Sequence, residues 1–184
     1  MNPLWDLPEA LTVGGVSYPI YWEFRQVLRV ISKLRQEELP LFIRWRAAMA
    51  IFYKDPVAPG HRLEAMQVMA SFINGGQTPN AGAPLLDWDK DAPLIIADVN
   101  RVAGRELRQK TPVHWWSFLS WFHAIGPGQL STVVSIRDAL RRGQKLSPQQ
   151  QDFYRQNRAL VDRKTPLSFQ EQAEKQRLSD MLGR

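Results

Sequence analysis

The sequence has no cysteine, which excludes disulfide bonds, thiol catalysis and metal sites built from thiolates. It contains no run of about 18 uncharged apolar residues, so we expect no membrane span. Its first residues, MNPLWDLPEAL, lack the basic start and the apolar stretch of a signal peptide. Together these absences predict a soluble, intracellular protein.

Catalytic and cofactor motifs are also missing. The chain has no Walker loop, dinucleotide fingerprint, nucleophile elbow or HExxH motif. His114 and His123 are nine residues apart, which is not a helical spacing of metal ligands. We therefore expect no catalytic residue, no metal and no cofactor, and we favour an interaction protein over an enzyme.

An acidic run from Asp87 to Asp91 resembles the first residues of a calcium-binding loop. The sixth position of such a loop needs Gly for a sharp turn, but this chain has Ala92 there, followed by Pro93. Asp98 stands at the twelfth position, where a calcium loop has a bidentate Glu. We predict instead that Asp91 is the N-cap of a helix whose first turn tolerates Pro93.

The chain has enough apolar residues to build a core. They make up 44% of its 184 residues and include eight Phe and seven Trp, which excludes wholesale disorder and predicts one domain, or one domain plus an arm. The net charge of +6 comprises +1 in residues 1–60, zero in 61–125 and +5 in 126–184. Because acids and Gln are interspersed with these basic residues, an ordinary solvated surface is favoured over nucleic-acid binding.

Local patterns predict a hairpin followed by helices. Leu11–Val13 and Val16–Tyr18 flank Gly14-Gly15, which can adopt the positive φ angles of a two-residue turn. Pro19 then ends the second strand because it has no N–H to donate. Apolar residues recur at helical spacing further along and predict six helices. Their approximate ranges are 22–36, 40–53, 61–73, 91–104, 114–125 and 129–142.

The same periodicity assigns buried faces to several of these helices. The second helix is apolar on most sides, so the sequence does not reveal which face is exposed. The segment 114–125 has almost no polar face, as expected of a central core helix. The residues predicted to point inward on the third helix are Leu63, Met66, Met69, Ala70 and Ile73.

We predict a mainly α fold, in which a compact helical domain of about six helices is joined to a short hairpin and a helical C-terminal arm. The predicted regions are 1–20 for the segment whose hairpin packs on the core, 21–143 for the helical core domain and 144–184 for a basic, Gln-rich arm. Ser147-Pro148 and Ser168 are typical helix starts in the arm. Since its helices have few apolar residues, they dock on the body, dock on another copy or stay partly mobile until a partner binds.

Eight residues are candidates for partner binding. Arg25 and Arg29 form a basic stripe with Lys33, for which a solvated helix face is the alternative. Trp115 and Trp116 belong to the most apolar segment of the chain, for which core packing is the alternative. The other candidates are Arg137 and Arg141 in the sixth helix and Phe153 and Tyr154 in the arm.

Several stretches resemble a family of small tail proteins from long-tailed bacteriophages. The opening LTVGGVSYPIYWEFRQVLRV has a hairpin of the form V-x-G-x-x-Y-x-I that runs into a helix with F-R. DWDKDAPLIIADV, TPVHWWSFLSWFHAI and VVSIRDAL then follow in the order of the family's central region, whose best mark is an H-W-W-x-F core. The resemblance covers residues 11–35 and 87–142, under half of the chain. The matching positions, most of which we interpret as fold determinants, are Tyr18, Phe24, Arg25, His114, Trp115, Trp116 and Phe118.

The resemblance implies a tail assembly chaperone, encoded beside the tape measure protein of a phage or prophage. Such proteins are mostly helical and have no known catalysis. They bind the tape measure protein, keep it soluble and help to recruit tail-tube subunits, so the implied partners are those two proteins and further copies of the chaperone. The implied location is the bacterial host cytoplasm, with the protein absent from the mature virion.

Two alternatives remain from the sequence. One is a different phage structural component, such as a tail or head-completion protein, which would be retained in purified particles. The other is a nucleic-acid-binding or regulatory protein that uses the basic arm, and its binding would fall steeply with salt.

Overall fold

The computed structural model describes residues 6–76 and 85–162. Within these residues the protein is mainly helical with one two-stranded antiparallel hairpin, which confirms the predicted fold class, and all six predicted core helices are present. The strands are β1 (Ala10–Val13) and β2 (Val16–Pro19). The helices are α1 (Phe24–Leu34), α2 (Leu41–Phe52), α3 (Arg62–Ile73), α4 (Ala92–Ala103), α5 (Trp115–His123), α6 (Gln129–Arg141), α7 (Pro148–Gln156) and α8 (Arg158–Val161), with a short 3-10 turn (Pro59–His61) before α3.

The chain forms two compact units, Met1–Ser131 and Thr132–Arg184. The first holds the hairpin and α1 to α5, and the second holds most of α6 together with α7 and α8. The region boundary after residue 143 stays a prediction. Among the helices of the described ranges, none has the length and apolar character needed to cross a membrane.

The hairpin is fixed to α3 through its turn. Gly14 and Gly15 have φ angles of 56° and 75°, a conformation that glycine adopts without a steric penalty. The Gly14 N–H donates to Glu64 Oε2 at 3.0 Å, and a Cβ on Gly14 would overlap the His61 ring. The predicted hairpin is therefore present, and glycine is required at this turn by both conformation and space.

Stacked aromatic rings build the core of the first unit. Phe118 stacks on Phe24 at 4.8 Å and on Trp115 at 5.5 Å, measured between ring centroids. Phe72 contacts Phe52 edge-on at 5.3 Å. All five side chains are buried. These contacts place α5 at the centre of the core, as its nearly continuous apolar sequence predicts.

The inward face of α3 differs from the prediction. The buried residues of α3 are Ala65, Met69 and Phe72, whereas Leu63 is 68% exposed. Apolar residues surround much of this helix, so its sequence alone does not define one face. The buried face of α3 is therefore determined by the elements that pack on it. Tyr53 packs against the turn of Ala65, and its hydroxyl donates to the Ala65 carbonyl at 2.8 Å.

The acidic run before α4 forms a closed turn. Asp91 occupies the N-cap position of α4, as predicted, but its carboxylate accepts the Asp87 N–H at 2.8 Å instead of capping the helix. Asp87 Oδ1 accepts the N–H groups of Asp89 and Lys90 at 3.1 and 3.0 Å. Across the described part of the chain, no cluster of three or more potential metal ligands occurs.

The second unit confirms the predicted helix start at Ser147-Pro148. Ser147 and Gln150 form a capping box, in which the Ser147 hydroxyl accepts the Gln150 N–H and the Gln150 amide accepts the Ser147 N–H. The predicted helix start at Ser168 lies outside the described residues. The buried apolar side chains of this unit are Val133, Ile136, Leu146 and Val161.

Candidate partner-binding surface

The first three residues of α2 form an exposed apolar edge. Leu41, Phe42 and Ile43 are 60%, 70% and 39% exposed. Three exposed apolar residues in a row are unfavourable in water unless another molecule covers them. We call these three residues the apolar edge. The other large apolar residues exposed in the described ranges are each separate in the sequence: Leu7, Val16, Tyr21, Leu63 and Leu140.

A groove continues from the apolar edge along the same helix. Phe42, Arg46, Met49 and Tyr53 recur at helical spacing and share one face, while Ala48 and Phe52 are buried on another. The groove has a volume of about 290 Å³ and is open to solvent. Its walls, beyond Arg46, Met49 and Tyr53, are formed by Lys54, Asp55, Pro56, Val57 and Arg62 with Ala50. We call this the α2 groove.

The closed end of the α2 groove is held by backbone hydrogen bonds. Tyr53 is buried and forms a β-bridge with Ile20, which follows β2. The Lys54 N–H donates to the Pro19 carbonyl at 2.9 Å. Burial raises the pKa of the Tyr53 hydroxyl above its usual range, so this group stays protonated and continues to donate to α3. These bonds hold the Tyr53 and Lys54 side of the groove to the end of β2 and to α3.

The rim of the α2 groove is cationic. Arg46, Lys54 and Arg62 line it, and Asp55 is the single acid among its lining residues. Within the described ranges, none of the three cations forms an ion pair. The Lys54 ammonium lies over the Tyr21 ring, 5.6 Å from its centroid. The surface thus offers apolar area at one end and an excess of positive charge toward the other, which suits an amphipathic, acidic partner.

The predicted candidate Arg25 is committed to internal contacts. Its guanidinium donates to the carbonyls of Leu107 and Gln109, both at 2.7 Å, and lies 3.1 Å from Glu23 Oε1. These bonds join α1 to the loop between α4 and α5. Arg29, by contrast, is exposed, and within the described ranges its one hydrogen bond is the 3.3 Å bond that it donates to Gln26 of the same helix.

Trp115 and Trp116 lie where α5 meets the end of α3. Their indole N–H groups donate to the carbonyls of Ile73 and Phe72 at 2.8 and 2.9 Å. Trp115 is 1% exposed, which agrees with core packing. Trp116 is partly exposed and lines a shallow depression with Leu7 and neighbouring residues. Of this pair, Trp116 is the one with surface available for a partner.

The four candidates of the second unit have different environments. Arg137 is buried and donates to the carbonyls of Leu160 and Val161 at 2.8 and 3.0 Å, which ties the end of α8 to α6. The exposed Arg141 donates to Asp138 at 2.7 Å. Phe153 and Tyr154 are half-buried, and the Tyr154 hydroxyl donates to Asp162.

The eight sequence-based candidates are thus divided between the two units, and their role in partner binding stays a prediction. The apolar edge and the α2 groove were missed as a site. The available signal was the uninterrupted run LFI after Pro40, followed by basic residues on the same helix. That run is equally typical of a buried helix, so only the structure separates the two cases.

No protein-family model matches this chain, and comparisons with curated proteins and with solved structures also give no match.

Proposed function

We propose that this protein is a phage tail assembly chaperone, which binds the tape measure protein reversibly, keeps it soluble and helps to recruit tail-tube subunits without catalysis. The family resemblance described above supports the proposal. The structural observation that carries it is the apolar edge of α2, which opens onto a cationic groove. A surface of this kind is suited to covering an apolar stripe on another protein.

The size of the surface fits a reversible role. A long helical client exposes apolar stripes that aggregate unless they are covered. The apolar edge comprises three side chains, so one copy of the chaperone supplies a small contact and modest affinity. Several copies along one client gain avidity from their number, while each contact stays weak enough for tube subunits to displace it.

Co-expression with the large coiled-coil-rich protein encoded beside it tests the proposal. We expect the client to be soluble only when this protein is present, and the two to co-elute during affinity purification and sizing. A client that is soluble alone and forms no complex would contradict the proposal.

The composition of purified phage particles gives an independent test. A tail assembly chaperone acts in the host cytoplasm and is absent from finished particles, so mass spectrometry should detect the tape measure protein but not this chain. Its presence in stoichiometric amounts would favour the alternative of a structural tail or head-completion protein.

The nucleic-acid-binding alternative has less support. Asp138 pairs with Arg141 at 2.7 Å and with Arg142 at 2.9 Å, so these two cations of the basic last third are partly neutralised. Arg46, Lys54 and Arg62, which form no ion pair in the described part of the chain, lie instead around a groove beside the apolar edge. That combination is typical of protein contacts, in which apolar area accompanies charge.

A further inference from the structure

The apolar edge and the α2 residues that line the groove form a stripe along one face of α2. It comprises Phe42, Arg46 and Met49 with Tyr53 at the C-cap, and the twelve residues from Phe42 to Tyr53 span about 16 Å at 1.5 Å per residue. The stripe has three helical turns and exposed apolar side chains at its N-terminal end. Another helix of about three turns packs on such a stripe by placing its side chains between those of α2.

The charges along this stripe are unevenly distributed. Phe42 and Ile43 lie at the N-terminal end of α2, Arg46 lies near its middle, and Lys54 and Arg62 lie at the far end. An occupant that covers the whole stripe therefore meets apolar surface first, Arg46 about one turn later and the other two cations at the far end. Acidic side chains on its flank would pair with these cations, and basic ones would be repelled.

A second copy of this chain is a poor occupant for the same reason. A symmetric dimer through the stripe would bring the same patch of each copy together. The interface would then contain Arg46, Lys54 and Arg62 from each copy, with only the two copies of Asp55 to offset them. Such an excess of like charge in one interface opposes association.

We propose that the α2 groove receives an amphipathic helix of the client, with apolar residues that cover Phe42 and Ile43 and acidic residues that face Arg46, Lys54 and Arg62. The proposal specifies the binding mode of the chaperone function proposed above and rests on it.

Two pairs of matched variants of the full-length protein test the proposal. Phe42→Ser and Leu63→Ser each remove an exposed apolar side chain from the second position of a helix, but only Phe42 lies on the stripe. Arg46→Glu and Lys110→Glu each reverse an exposed cation, but only Arg46 lines the groove. Because all four side chains are exposed, we expect the circular dichroism spectra and melting curves to match those of the unmodified protein.

Two probes measure binding. The first is the tape measure protein in the co-expression assay. The second is a synthetic helical peptide with Leu at positions i, i+4 and i+7 and Glu along one flank, compared with a peptide in which Lys replaces Glu. We expect Phe42→Ser and Arg46→Glu each to weaken binding of both the client and the Glu peptide by about tenfold. Leu63→Ser and Lys110→Glu should stay within about twofold, and the Lys peptide should bind about tenfold more weakly than the Glu peptide.

The outcomes separate this proposal from the proposed function. If the client binds all four variants equally, the groove is not the site and the inference is overturned, while the chaperone function stands. If the client does not bind but the Glu peptide binds in the expected pattern, the groove is a site for acidic amphipathic helices and the proposed chaperone function is wrong. If size-exclusion chromatography shows a dimer and Phe42→Ser converts it to a monomer, the occupant is a second copy and the inference is overturned.

Discussion

His114 is a buried histidine whose two ring nitrogens are both engaged. Nδ1 accepts the Trp116 N–H at 3.1 Å and so caps α5, which leaves the proton on Nε2, 3.1 Å from the Pro8 carbonyl. The ring also stacks on Trp22 at 5.5 Å. The neutral form of the side chain therefore joins the N-terminal segment, α5 and the chain before α1.

The pKa of His114 gives a prediction for stability against pH. Burial lowers this pKa, more than the Pro8 hydrogen bond and the Glu9 charge raise it, so it lies below the value of about 6.5 in the unfolded chain. The contribution of the neutral ring is complete above about pH 6.5 and is lost as the pH falls through the folded-state pKa. Thermal melts should therefore show a falling Tm as the pH decreases from about 7 to about 5.

Two variants test whether His114 causes that pH dependence of the Tm. His114→Asn keeps a side-chain acceptor for the N-cap of α5 but does not titrate, so the fall in Tm should become shallower even though the loss of the ring lowers Tm overall. His123→Asn is the matched control because His123 is exposed at the end of the same helix. An unchanged slope in His114→Asn would show that another group is responsible.

Arg25 and Arg29 illustrate how equal sequence patterns hide unequal roles. Both belong to the stripe of cations that repeats every four residues on α1. Arg25 binds two loop carbonyls and an acid, whereas Arg29 donates a hydrogen bond to Gln26 on its own helix. The two arginines differ because the carbonyls of Leu107 and Gln109 lie beside Arg25. The periodicity of α1 cannot predict the position of that loop.

At the scale of elements, α5 is joined to α3 by its two adjacent tryptophans. The carbonyls of Phe72 and Ile73 lie at the end of α3, where the regular ladder of backbone donors stops, although the Phe72 carbonyl also accepts the Gly75 N–H at 3.0 Å. The indole N–H groups donate to both carbonyls, while the Trp115 ring is buried in the core and the Trp116 ring is partly exposed. One dipeptide thus caps one helix and anchors another.

Substitutions at the two tryptophans should separate these contributions. Trp115→Ala removes a buried ring and should lower the free energy of unfolding by about 3–5 kcal/mol. Trp116→Phe keeps a ring and removes one hydrogen bond, so a loss of about 1 kcal/mol is expected. Urea denaturation measures both. A stable Trp115→Ala variant that has lost only partner binding would move α5 from the core to an interface.

The elements differ in how far their sequences predict them. The hairpin and α1 carry local information in a glycine pair and a regular apolar face, and the predicted bounds of both are close to the observed ones. For α7 the sequence predicts the start at Ser147-Pro148, where the structure has a capping box. The exposed face of α2 and the position of Leu63 were not predictable, because apolar residues surround both helices. Their exposure depends on which other elements cover each face of the helix. The candidate surface is therefore a result of tertiary packing, which the local sequence pattern does not specify.

At the scale of the molecule, the division into two units predicts the effect of a large deletion. The buried aromatic core of the first unit comes from α1 to α5, so removal of residues 147–184 should leave a cooperative melt. Within the second unit, α6 would lose the carbonyl partners of Arg137 in α8. Calorimetry of the deleted protein tests this, and the disappearance of the transition would make the deleted region part of the main fold.

The fixed hairpin turn has a consequence for protein engineering. Surface turns usually tolerate a tag or an inserted domain, but here Glu64 and the ring of His61 occupy the space around Gly14. An insertion at this turn would separate the hairpin from α3. The exposed stretch around Gly143, between α6 and α7, has open space at its glycine and is the better position for a fusion partner.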